Sequence, residues 1–136
     1  MRQTATRVAA DRGDAGAFTL SYVIIVPVFF AALMVIAQLT VYYLASSAAL
    51  AAARQGVDAA REAHAPAGAG PSAAEAFARS TAPGYLISPA AAVVPAGSAQ
   101  TIAIEVTGGV PSLVPGFPLL HVTQVAQAPV ERFTTP

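Results

Sequence analysis

From Ala15 to Ala53 the chain runs 39 residues without an Asp, Glu, Lys or Arg. Leu20–Leu44 is almost wholly apolar, and charge returns at Arg54. About 20 apolar helical residues, rising about 1.5 Å each, cross a bilayer. The pattern therefore predicts a membrane-spanning helix. A cleaved secretory signal is the competing reading, with an apolar region of only about 7–15 residues. The 25 residues of Leu20–Leu44 exceed that length, although Ala45-Ser46-Ser47-Ala48 leaves a small-residue cut site open.

The helical pattern outlasts the apolar core. Alanine, the best helix former, dominates from Ser46 to Glu62. Arg54, Asp58, Arg61 and Glu62 recur on one helical face, with Leu50, Ala53, Val57 and Ala60 on another. A single helix over 17–64 is expected, roughly 70 Å long at the α-helical rise. Small side chains let helix backbones approach closely, so Leu50, Ala53, Gly56 and Val57 are candidates for packing against other helices. Gln38 and Thr40 are polar residues that either bond across to such a neighbour or bond back to their own helix. Pro27 lies within the span, where proline removes a backbone donor and kinks a helix.

Beyond the helix the pattern changes. Residues 65–71, rich in Pro, Gly and Ala, read as a linker. Ser72-Ala73-Ala74-Glu75 has capping-box spacing and opens a short helix to about Ser80, with an apolar face of Ala73, Ala74, Phe77 and Ala78. Three strands are predicted at Ala90–Val94, Gln100–Thr107 and Leu119–Gln127. The second alternates most clearly, with Ile102, Ile104 and Val106 on one face. Leu113, Val114, Phe117, Leu119 and Leu120 are assigned to the core, the alternative being a patch that docks on membrane or partner. The expected fold class is α+β: a long N-terminal transmembrane helix, then a small domain over 72–136 with a short helix and an antiparallel sheet of about three strands.

Charge bears on topology. Arg2, Arg7 and Arg12 precede the span, whereas Arg54 and Arg61 beyond it are balanced by Asp58 and Glu62. The positive-inside rule counts the basic residues and places the N-terminus in the cytoplasm and the C-terminal domain outside. Tyr42 and Tyr43 fall where an aromatic belt at the outer interface belongs. Seven basic and seven acidic residues cancel, leaving no basic patch for nucleic acid. With no cysteine in the chain, disulfides and thiolate metal sites are excluded. His64 and His121 stand apart from any metal-ligand spacing. No catalytic constellation, cofactor motif or small-molecule site is apparent, so a non-enzymatic role is expected.

A short charged leader, Asp11-Arg12-Gly13-Asp14-Ala15-Gly16, runs into an unbroken apolar helix containing Pro27. Further on stand Ala51-Ala52-Ala53-Arg54-Gln55-Gly56 and a β-rich tail ending Pro129-Val130-Glu131-Arg132-Phe133. In these three pieces, in their order and spacing, the chain resembles the TadE-like pseudopilins of Flp/Tad-type pilus assembly systems. The resemblance implies a type IV pilin-like fold, with residues 1–16 as a cytoplasmic leader removed by a membrane-embedded prepilin peptidase between Gly16 and Ala17. It also implies other pilin-like subunits and Tad assembly membrane proteins as partners. Many prepilins carry Glu at the fifth position after the cut, where it pairs with a neighbour's free amine and registers the subunits; here that position is Ser21. The departure fits a minor subunit better than the main filament subunit. The alternative is a bitopic anchor that presents a small exported interaction domain and enters no filament.

Overall fold

A computed structural model describes residues 11–62 and 64–130, with side chains described from Tyr22 onward. The element order is α1 (Asp11–Arg61), α2 (Ala69–Thr81), β1 (Ile87–Val94), β2 (Thr101–Val110) and β3 (Leu120–Pro129). This is the expected α+β arrangement: a long apolar helix, a short helix and a three-stranded antiparallel sheet in the order β1-β2-β3. The chain divides into two compact units, Met1–Ala37 and Gln38–Pro136.

The described part of the first unit is helical throughout, and the helix is unbroken across Pro27. Proline there removes the N–H that Val23 would receive four residues on. The helix also begins earlier than expected, at Asp11. Gly13 and Gly16 each cost a helix interior about 1 kcal/mol. Once a helix is nucleated, however, each added residue contributes a hydrogen bond, and the backbone carries through both glycines.

In the second unit one face of the sheet is covered by helix and the other is open, as antiparallel sheets allow. Along β2 the even positions Ile104, Val106, Gly108 and Val110 are buried, and Glu105, Thr107 and Gly109 on the opposite face are half-buried. From β3, Val122 joins the buried set, while His121, Thr123, Val125 and Gln127 are exposed. Ala45, Ala48, Ala49, Ala52, Ala53 and Val57 of α1 meet Ala74 and Ala78 of α2, Ala82, Leu86 and the inner face of β2. This core is thin. Its largest fully buried side chains are Ile104, Val106, Val110 and Val122.

Strand β2 runs on to Val110 rather than Thr107 and β3 to Pro129 rather than Gln127, and two further boundaries differ from expectation at prolines. The short helix begins at Ala69 rather than Ser72. Gly68, with φ 86°, turns the chain into it, and the Ser72 N–H donates to the Gly68 carbonyl at 3.1 Å. Pro71 sits in the first turn, where a missing N–H goes unused; its reading as linker is thereby corrected. Strand β1 starts at Ile87, three residues ahead of the expected Ala90. The register shifts between Ile87 and Ala90, and Ser88 has φ 48°. A bulge of this kind accommodates proline within a strand, which lets Ile87 pair with Gly109 despite Pro89.

Candidate functional site

The candidate residues all lie on α1, and the structure divides them by how their surface is used. Gly16, Ala17 and Ser21 fall in helical backbone; their side chains are outside the described residues. Every residue from Tyr22 to Val35 is exposed, including Ile24, Phe29, Phe30 and Leu33. The helix is long and apolar enough to cross a membrane, and none of its most apolar window is buried by the rest of the chain.

Farther along, the small residues are occupied from within. Ala53, Gly56 and Val57 are buried and Leu50 is half-buried. A β-carbon added to Gly56 would stand 2.8 Å from the Gly70 carbonyl oxygen and 2.9 Å from the Ala74 β-carbon. One added to Gly70 would stand 2.9 Å from the Ala60 β-carbon and 2.9 Å from the Gly56 carbonyl oxygen. Residue numbers rise along α2 as they fall along α1, so the two helices form an antiparallel hairpin. Its contact is two interlocked small-x-x-x-small pairs, Gly56/Ala60 and Gly70/Ala74. The reading of Ala53, Gly56 and Val57 as a surface for other chains is therefore corrected, whereas Leu50 remains partly exposed. Periodicity identifies a face made for close packing, and the chain's own α2 and β2 fill it.

Gln38 also has an internal role. Its side-chain oxygen accepts the Leu113 N–H at 2.7 Å, and its amide nitrogen donates to the Pro111 carbonyl at 3.3 Å. Neither a neighbouring helix nor its own backbone receives these bonds; the β2–β3 loop does. Ser46 provides a second tie to the sheet, accepting from the Gln124 amide at 2.8 Å. Neither Ser46 nor the Gln38–loop clamp carries a motif that sequence reasoning could recognise.

The β2–β3 loop itself is not core. Leu113, Phe117, Leu119 and Leu120 are exposed, and Phe117 is 70% exposed. The core assignment fails because β2 and β3 run to Val110 and from Leu120, and Val110 and Val122 already fill the inner face at that end of the sheet.

The charged face is solvent-facing. Arg61 pairs with Asp58 at 3.2 Å, one turn apart. Glu75 on α2 accepts from Arg79 at 2.7 Å with one oxygen and from the Ala91 N–H at 3.2 Å with the other. His64 and His121 are both exposed. Among the described residues no group of three or more His, Cys, Asp or Glu is placed to hold a metal. No family model matches the chain, and no curated protein or solved structure shows significant similarity to it.

Proposed function

We propose that this chain is a non-enzymatic, single-pass, pilin-like subunit of the TadE-like kind, taking part in assembly of a Tad-type pilus or related secretion apparatus. It sits in the cytoplasmic membrane with the N-terminus inside and the small domain outside, as the basic residues Arg2, Arg7 and Arg12 favour. A prepilin peptidase clips it between Gly16 and Ala17. Like helices of other pilin-like subunits, together with Tad assembly membrane proteins, are its partners.

The observation that carries the reading is the split in surface use along α1. The small-residue half, Ala45–Val57, is covered by the chain's own domain, whereas Tyr22–Val35 offers apolar side chains all round. Lateral joining is therefore assigned to the N-terminal half of the helix and to Ser21 and its neighbours, not to Gly56. Peptidase action at Gly16–Ala17 requires local unwinding, because that bond lies in helical backbone. Glycine makes such unwinding easier.

The second reading, a bitopic anchor with a small exported interaction domain, is favoured by the internal use of Ala53, Gly56 and Val57. Intact mass of a C-terminally tagged product isolated from membranes separates the two. A pilin-like subunit begins at Ala17, and Gly16→Leu leaves the full-length form. An anchor keeps Met1 or Arg2 in both. A product beginning near Ala48 would point instead to signal-peptidase release.

A further inference from the structure

The β2–β3 loop, residues 111–119, is apolar on its outside. Val114-Pro115-Gly116-Phe117 closes with the Phe117 N–H on the Val114 carbonyl at 3.3 Å, and Gly116 has φ 82°. That is the arrangement of a Pro-Gly type II turn, which needs positive φ at its third residue. The turn presents Phe117, flanked by exposed Leu113, Leu119 and Leu120.

Three features single out lipid as the medium for this loop. The first is charge: from Val106 to Val130 no Asp, Glu, Lys or Arg occurs, a run of 25 residues. The second is the backbone. Pro111, Pro115 and Pro118 have no N–H to satisfy. Of the loop's six N–H groups, those of Leu113, Val114 and Phe117 have acceptors in Gln38, Ser112 and Val114. Pairing half of the donors within the chain lowers the cost of entering a low-water layer, and the interfacial layer still holds water for the rest. The third is position. About 20 residues cross the hydrocarbon, and 20 residues counted from Leu20 end at Leu39. Gln38, which fastens the loop at Leu113 and Pro111, is thus at the boundary that this count assigns to the bilayer.

We propose that this loop is a second membrane contact, with Phe117, Leu113, Leu119 and Leu120 inserted into the interfacial layer of the outer leaflet. Gln38 holds it there. The anchoring is bipartite: α1 crosses the bilayer and the loop adds an interfacial contact. Phe and Leu side chains on an apolar face bury at the headgroup/acyl boundary. The proposal rests on α1 crossing a bilayer and is independent of processing or filament assembly.

The chain lacks cysteine, so single probes can be placed without a background. Full-length chain carrying Phe117→Cys, Leu119→Cys, Val125→Cys or Phe29→Cys is labelled with an environment-sensitive fluorophore. Each is then reconstituted at one chain per phosphatidylcholine nanodisc. The expected result is that the 117 and 119 probes are quenched by a doxyl group near the headgroup and are several-fold less sensitive to aqueous iodide than the 125 probe on the sheet's open face. The 29 probe responds to a doxyl group deep in the acyl chain. Iodide quenching at 117 and 119 equal to that at 125, with 29 in lipid, overturns the loop contact and leaves the span standing. Shielding of 117 and 119 from both quenchers also overturns it, in favour of protein covering the loop. Iodide quenching at 29 overturns the span and the loop contact together.

Discussion

Gly56 and Gly70 meet across the α1–α2 hairpin with no room for a methyl group on either: a β-carbon on Gly56 would lie 2.8 Å from the Gly70 carbonyl oxygen. The obstacle is backbone, which cannot swing aside as a side-chain tip can.

Gly56→Ala therefore tests two opposed effects. Alanine gains about 1 kcal/mol of helix propensity, while overpacking a tight contact costs about 1–3 kcal/mol. The contact is with a carbonyl and with Ala74, so overpacking prevails. The full-length variant in detergent should melt several degrees lower than the parent, and Gly56→Leu should lose the cooperative transition. A melting temperature raised by Gly56→Ala would show that the hairpin is looser than described.

Ile104 is fully buried in a core with few large side chains, and would stand 3.2 Å from a β-carbon added to Gly56 and 3.1 Å from one added to Gly70. Ile104→Ala should cost about 2–5 kcal/mol. Val93→Ala on β1, where the side chain is 63% exposed, should stay within about 0.5 kcal/mol of the parent. Denaturant titration of both variants checks the contrast, and equal losses would contradict the placement of the core.

Glu75 has two separable duties. Glu75→Gln keeps an acceptor for the Ala91 N–H but ends the ion pair with Arg79, an exposed pair worth about 0.2–1 kcal/mol. Glu75→Ala removes both and should destabilise more, by about a further 0.5–1.5 kcal/mol. Hydrogen exchange at Ala91 should quicken in Glu75→Ala and not in Glu75→Gln. Unchanged exchange in Glu75→Ala would rule out the bond.

Gln38→Leu removes both bonds to the β2–β3 loop while adding apolar surface to the helix. Protease cleavage between Pro111 and Leu119 should speed up, and the global melting temperature should change little. A chain whose loop is equally resistant without the Gln38 amide would show that the Ser112 and Val114–Phe117 turns suffice.

Element types were legible because they follow from local periodicity. The alternation of Ile102, Ile104 and Val106 marked β2, and the charge-free stretch before Arg54 marked α1. Boundaries were less legible where proline is tolerated, at Pro71 in a first helical turn and at Pro89 in a bulge. The occupant of the small-residue face was not legible. An alanine and glycine stripe fits a neighbouring chain or the chain's own hairpin equally well, and only the tertiary pairing of Gly56 with Gly70 decides. The Gln38 clamp joins residues more than 70 apart in sequence and has no local signature. The proposed cut at Gly16–Ala17 rests on the leader's pattern, and Ser21 on its place relative to that cut.

The claim on which the functional account turns is that the bare apolar half of α1 joins other helices. A photo-cross-linking residue introduced at one position at a time from Val23 to Val35 in full-length chain, irradiated in native membranes, tests it most directly. The account predicts adducts between this chain and neighbouring polypeptides that rise and fall with a period of about 3.6 positions. Absence of cross-linked products at every position, with the chain present in the membrane, would contradict it.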